Sequence, residues 1–246
     1  MPYSVTMLPS RGVALVVMAK APQAGASKTR LLPRLDADQA ATLALCLTQD
    51  SVRNVRALDA RVCIAYTPAG GRDVLEPALA PGLRWFAQRG KDLGARMEHA
   101  IARAARWGAR PILLIGTDSP HLPIENIALA IETLQADRAD LVLGPAEDGG
   151  YYLVGMSRPA PGLFDGVAWS TSRAYAETAA NAQRQSLRLW NAPMGYDIDT
   201  PADLARLYEQ ICTDPRLRDR VPGTARWLAE HSALLALNTV AIGEPE

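Results

Sequence analysis

Three cationic side chains, Lys20, Lys28 and Arg30, crowd into the stretch KAPQAGASKTRL, directly after the apolar run GVALVVMA. Cations on such a loop can clamp a di- or triphosphate, and Gly25 lets backbone N–H groups approach the phosphate oxygens. The stretch is not a Walker loop. That motif needs a glycine directly before its lysine and another five residues earlier, and those positions hold Ser27 and Pro22. Read alone, the segment also fits a solvated basic loop, but its place at the end of a strand favours ligand binding.

Three acidic segments offer a counterpart. In PILLIGTDSPHLP an apolar strand ends on Asp118, where a carboxylate suits Mg²⁺ or Mn²⁺ and leaves room for phosphate oxygens; Asp-Ser-Pro is also ordinary turn chemistry. GPAEDGGYYLVG sets Glu147, Asp148, Gly149, Gly150 and Tyr151 between two strands. This is a hairpin signal, or a place where two glycines let a sugar approach while Asp148 contacts a hydroxyl or the metal. In YDIDTPADL, Thr200 reads as an N-cap, which leaves Asp197 and Asp199 unexplained. DIDT is similar to a dehalogenase nucleophile motif, but it follows no early strand and continues with Pro201.

Weaker signals surround these. QRGKDLGARM places Gln88, Gly94 and Arg96 about a helix start, which suits an anion or ribose or a charged surface over buried Leu93 and Met97. Trp169 with Ser170-Thr171 reads as a core aromatic plus cap, or as the wall of an acceptor pocket. His121 lies close enough to Asp118 in sequence to touch a substrate. His99 falls opposite its apolar stripe and is expected to be exposed, and His231 belongs to a tail helix.

The elements that must hold these residues alternate. Strands are expected at Val13–Ala19, Arg61–Tyr66, Leu83–Phe86, Pro111–Gly116, Asp140–Gly144, Tyr151–Gly155 and Leu187–Trp190. Several are continuously apolar, as strands covered on both faces are. Helical stripes fill the gaps: Ala41, Leu45, Val52, Val55 and Leu58; Leu93, Met97, Ala100, Ile101 and Ala104; Ile124, Ile127, Ala128, Ile131 and Leu134. Thr200-Pro201-Ala202-Asp203 opens a further helix, and a last one is expected over Thr224–Leu237. The pattern predicts an α/β fold with a mainly parallel central sheet flanked by helices, its ligands beyond the strand carboxyl ends. We read one domain, with a core of about residues 13–210 and a helical tail of about 215–246.

Composition excludes other classes. Lys plus Arg (26) balances Asp plus Glu (26), so nothing draws the chain in bulk to nucleic acid or anionic membrane. Three scattered cysteines, Cys46, Cys63 and Cys212, fit neither a disulfide framework nor a metal knot. No apolar run approaches the roughly 20 residues of a membrane span. Arg11, a short apolar stretch and AKA loosely imitate a secretory leader, but Lys20 would fall in its cleavage site. The expected location is cytoplasmic.

In their order, KTRL after the first strand, GTDSPHLP, PAEDGGYYLVG, the Trp-Ser-Thr segment and DIDTPADL resemble a bacterial family of glycosyltransferase-like proteins. Its members are named radical-SAM/selenodomain-associated transferases or arsenosugar-biosynthesis glycosyltransferases. The resemblance spans about Val13 to Tyr208 and implies a GT-A, nucleotide-diphospho-sugar transferase-like fold. It extends to the guanylyltransferases of molybdenum-cofactor and phospholactate pathways. It implies that Lys20, Lys28 and Arg30 grip nucleotide phosphates, that Asp118 ligates Mg²⁺ or Mn²⁺, and that Asp199 is the second ligand. Many GT-A glycosyltransferases carry an Asp-x-Asp pair where this chain has Gly116-Thr117-Asp118, the nucleotidyltransferase form, which leaves the reaction type open.

Three readings follow. The first is a glycosyltransferase using a nucleotide sugar and a small-molecule acceptor, with Lys28 and Asp148 in catalytic roles. The second is a nucleotidylyltransferase using a nucleoside triphosphate. The third is a non-catalytic nucleotide-sugar-binding protein.

Overall fold

Seven short apolar runs become seven strands of one sheet. The computed structural model describes residues 12–32 and 34–235. In chain order the elements are β1 (Ala14–Lys20), α1 (Ala37–Val55), β2 (Arg61–Thr67), α2 (Gly71–Leu75), β3 (Arg84–Ala87), α3 (Leu93–Arg106), β4 (Ile112–Ile115) and α4 (Ile124–Gln135). There follow β5 (Leu141–Pro145), β6 (Tyr151–Met156), α5 (Ala174–Arg184), β7 (Leu189–Asn191), α6 (Pro201–Thr213), α7 (Pro215–Arg220), α8 (Pro222–Glu230) and α9 (Ser232–Leu235). The strand order is β3-β2-β1-β4-β6-β5-β7. All neighbours run parallel except β6, which is antiparallel to both β4 and β5. This is the mainly parallel α/β sheet that the sequence predicts.

Burial on both faces explains why the strands read as unbroken apolar runs. Leu15 and Val17 of β1 join Val52 and Val55 of α1 and Ile127 and Leu134 of α4 on one face. Ala14 and Val16 join Met97, Ala100, Ile101 and Ala104 of α3 on the other. A third cluster lies outside the sheet: Leu43 and Leu47 of α1 pack against Leu204, Leu207 and Ile211 of α6 and Trp227 and Leu228 of α8. The C-terminal helices are thereby bound to the element that flanks the phosphate-loop candidate.

Three local expectations change. Leu93, the first residue of α3, is exposed, while the rest of its stripe is buried one turn and more further on. His99 is half-buried, because β3 lays Phe86 edge-on against it at 6.0 Å. The expected last helix is two: α8 begins at Pro222 and ends at Glu230, and α9 follows; Leu237 lies outside the described residues. Among the described residues no helix is long and apolar enough to cross a membrane.

Candidate active site

β1 and β4 are hydrogen-bonded neighbours, so the loops leaving their carboxyl ends lie side by side. The first loop folds on itself. Ala26 and Ser27 donate their N–H groups to the Gln23 carbonyl at 3.1 and 3.0 Å, and the Ser27 hydroxyl accepts from the Gln23 N–H at 2.9 Å. Gly25 at φ +76° allows that turn. Lys20 closes the loop by donating its ammonium to the Ala26 carbonyl at 2.7 Å. Lys28 then takes a left-handed φ of 49°, which turns its side chain inward ahead of the one-turn 3₁₀ helix Thr29–Leu31.

The second wall is built by pairing two distant segments. Ile198 donates its N–H to the Asp118 carbonyl at 3.0 Å, and the Ser119 hydroxyl donates to Asp197. The Asp203 carboxylate, in the first turn of α6, accepts from the N–H groups of Asp199 at 3.2 Å and Thr200 at 2.7 Å. Asp118 and Asp199 are thus presented together, although 81 residues separate them in the chain.

Lys28 joins the two walls. Its ammonium donates to Asp118 and, at 2.9 Å, to Asp199 Oδ1. The lysine side chain is only 7% exposed, against 47% for Asp118 and 37% for Asp199. Burial works against the ammonium, but the two carboxylates outweigh it and hold the Lys28 pKa above its ordinary value. Arg30 stands 4.0 Å from Asp199 Oδ2 and is largely exposed. These groups open on a cleft of about 500 Å³, also lined by Lys20, Thr48 of α1, Thr117 and Ser170. Lys20, Lys28, Arg30, Asp118 and Asp199 are therefore brought together in one cleft.

The donor set suits a divalent cation of a particular kind. Lys28 is a stand-in positive charge that already touches one oxygen of each carboxylate. Among the described residues no group of three or more His, Cys, Asp or Glu is placed to hold a metal. Two carboxylates with open positions fit Mg²⁺ or Mn²⁺ completed by water and phosphate oxygens, and do not make an all-protein cage.

Other predicted site residues are used elsewhere. The Gln88 amide donates to the carbonyls of Ala65 at 2.7 Å and Ala19 at 3.4 Å, tying together strands β1 and β2. Gly94 is a packing glycine: a Cβ there would meet Trp169 and Phe164 at 2.9 Å. Arg96 turns back to the Gly90 carbonyl at 3.4 Å. Trp169 wedges between Phe164 and Tyr151, with centroids 6.1 and 6.4 Å away, and only the adjacent Ser170 reaches the cleft. Thr171 does not cap α5; its hydroxyl donates to the Ala168 carbonyl at 2.7 Å.

The acceptor-side candidates also shift. Tyr151 turns its hydroxyl to Thr178 of α5 at 3.5 Å, and burial raises its pKa. Gly149, at φ +84°, lets the loop pass against the Ser172 backbone, and Gly150 donates its N–H to Asp148 at 2.8 Å. Gly149 serves backbone packing. His121 does not line the cleft: it is 4% exposed, lies 4.1 Å from the Tyr196 ring, and has no partner for either ring nitrogen. Asp148 remains exposed, close enough for its charge to act on Asp197.

Asp197 is the residue whose part the sequence understates. Burial, then the Asp118 charge, with smaller contributions from Asp199 and Asp148, push its pKa up to about 7 against the Ser119 bond. The repeated acid in DIDT was its only signal. Thr48 had none, because a helix residue reaches the cleft only through the packing of α1.

Known proteins agree with this architecture. A crystal structure from Desulfovibrio desulfuricans G20, provisionally called a nucleotide-diphospho-sugar transferase, is 33% identical, with a TM-score of 0.85 over 92% of this chain and 98% of its own. A phosphoenolpyruvate guanylyltransferase from Sphaerobacter thermophilus is 28% identical over 185 residues, 74% of this chain and 86% of the relative. A cytidylyltransferase from Leptospira borgpetersenii shares the fold at 13% identity, with a TM-score of 0.58 over 92% of this chain and 97% of its own. The fold is that of the nucleotide-diphospho-sugar transferases. The family model described as "Uncharacterized protein conserved in bacteria (DUF2064)" matches residues 42–171, just over half of the chain, and the protein belongs to that family.

Proposed function

We propose that the protein is a metal-dependent transferase that takes a nucleotide sugar as donor and passes the glycosyl group to a hydroxyl of a small-molecule acceptor. The observation that carries this reading is the meeting of Lys28 with Asp118 and Asp199 at the floor of a cleft also lined by Lys20 and Arg30. Lys20, Lys28 and Arg30 bind the donor diphosphate through charge-assisted hydrogen bonds, and Asp118 and Asp199 hold Mg²⁺ or Mn²⁺. When bound, the cation supplies counter-charge for the departing nucleoside diphosphate. This reading assigns the acceptor's hydroxyl proton to Asp148, an exposed carboxylate whose charge reaches Asp197 beside the pair.

Lys20, Lys28 and Arg30 are the cations lining the cleft. Committed to the donor, they leave no other cation among the described residues lining the cleft for an acceptor phosphate. A neutral hydroxylated acceptor is the better match. The guanylyltransferase relative favours a second reading, in which the same loop and metal serve nucleotidylyl transfer from a nucleoside triphosphate.

One panel tests both. Thermal shifts with nucleoside diphosphates, triphosphates and nucleotide sugars, each with Mn²⁺, are expected to show a metal-dependent rise that Asp118→Ala abolishes. Release of nucleoside diphosphate from a nucleotide sugar supports glycosyl transfer; release of pyrophosphate from a triphosphate establishes the second reading instead. No metal-dependent shift across the panel sinks the central claim.

A further inference from the structure

The Lys28 ammonium occupies Oδ1 of each of the two carboxylates that would hold a divalent cation. A cation arriving alone must either displace this doubly paired lysine, breaking both of its ion pairs, or bind beside its positive charge. Among the described residues no third His, Cys, Asp or Glu is placed to join Asp118 and Asp199 around it. A cation arriving on a nucleotide diphosphate faces a different exchange. The phosphate oxygens complete its coordination shell and also accept the released ammonium, so every charge stays paired. The left-handed turn at Lys28, with φ 49° and ψ 42°, sets the lysine at the mouth of the loop that carries Lys20 and Arg30. The ammonium therefore needs only a side-chain swing to pass from carboxylate to phosphate.

We propose that Lys28 closes the Asp118–Asp199 pair to free divalent cations, so that the metal enters only together with nucleotide phosphates, which take the ammonium in exchange. Resting on the metal-and-nucleotide reading above, this makes Lys28 a selector of the metal–nucleotide complex as well as a phosphate ligand. It also sets the order of events: free metal does not prime the site, and nucleotide and metal bind as one ligand.

The test is Mn²⁺ binding without nucleotide, followed by loss of the free-ion electron paramagnetic resonance signal. The proteins compared are the wild type, Lys28→Met, Lys28→Arg and the double variant Lys28→Met/Asp118→Asn, with near-UV circular dichroism confirming that each is folded. The expected result is weak binding by wild type, binding at least about 10-fold tighter by Lys28→Met, and loss of that gain in the double variant. Lys28→Arg, which keeps the charge, is expected to stay weak; should Lys28→Met fail to fold, Lys28→Gln replaces it. Equal, Asp118-dependent affinities for wild type and Lys28→Met overturn the selector role and leave the metal reading standing. No Mn²⁺ binding by any protein, alone or with any nucleotide of the panel above, overturns both.

Discussion

Ile198 donates its backbone N–H to the Asp118 carbonyl at 3.0 Å. This single bond docks the segment before α6 on the loop after β4. It is reinforced by the Ser119 hydroxyl, which donates to Asp197. Along 197–199, Asp197 accepts from Ser119, Ile198 packs into the third core cluster, and Asp199 comes beside Asp118, where Lys28 meets both. The carboxylate pair is thus held by backbone geometry, and its side chains stay available for exchange.

Asp197 imposes a pH dependence. Its folded pKa of about 7 lies above the roughly 3.9 of an unfolded aspartate. Its contribution to stability is therefore fully present below about pH 4 and is lost as pH rises through 7. Asp197→Asn keeps an acceptor for Ser119 and removes the charge. The variant is expected to gain about 2–4 kcal/mol over wild type at pH 8.5 and to match it near pH 4, as read from denaturant unfolding across that range.

His121 carries the opposite dependence. Burial, aided by Arg206 and Arg220, lowers its pKa to about 3, below the roughly 6.5 of an unfolded histidine. Stability from this group is present above pH 6.5 and lost as pH falls toward 3. His121→Phe keeps the ring against Tyr196, removes two unpartnered nitrogens, and is expected to raise Tm at pH 5 by several degrees. Nucleotide-dependent thermal shifts should not change, whereas a His121 that touched substrate would alter them.

Asp50 fastens the C-terminal helices. Although 2% exposed, it accepts from the N–H groups of Gly223 at 3.1 Å and Thr224 at 2.7 Å and from the Thr224 hydroxyl at 2.7 Å. Asp50→Ala leaves these donors buried and unpaired and is expected to cost about 2–4 kcal/mol. Asp50→Asn, which still accepts, should cost less than half as much by chemical denaturation.

Gly149 is a structural test of the acceptor loop. A Cβ at its φ of +84° would stand inside the van der Waals envelope of the Ser172 carbonyl. Gly149→Ala is therefore expected to lose about 3 kcal/mol through strain and overpacking. A variant with unchanged unfolding would return this glycine to a ligand-contact role.

Much of the fold was legible in the order of residues. Continuous apolar runs such as PILLIG and helical stripes such as Met97–Ala104 encode strand and helix through burial periodicity, which is local. The same holds for Lys20 and Asp118, because parallel strands deliver whatever follows them to one edge. Local pattern also makes Gln88, Gly94, Tyr151 and His121 resemble ligand contacts: polar, aromatic and glycine residues near a strand end look alike whether they face a cleft or a neighbouring helix.

By itself, the sequence determined the alternating α/β architecture and the edge of the sheet at which cations and carboxylates gather. Only the tertiary structure decided that Lys28 bridges Asp118 and Asp199, that Asp197 is half-buried beside them, and that the tail helices brace α1. These depend on contacts across 78 to 174 residues. No local periodicity records such contacts, because they arise only when separate elements close on a shared core.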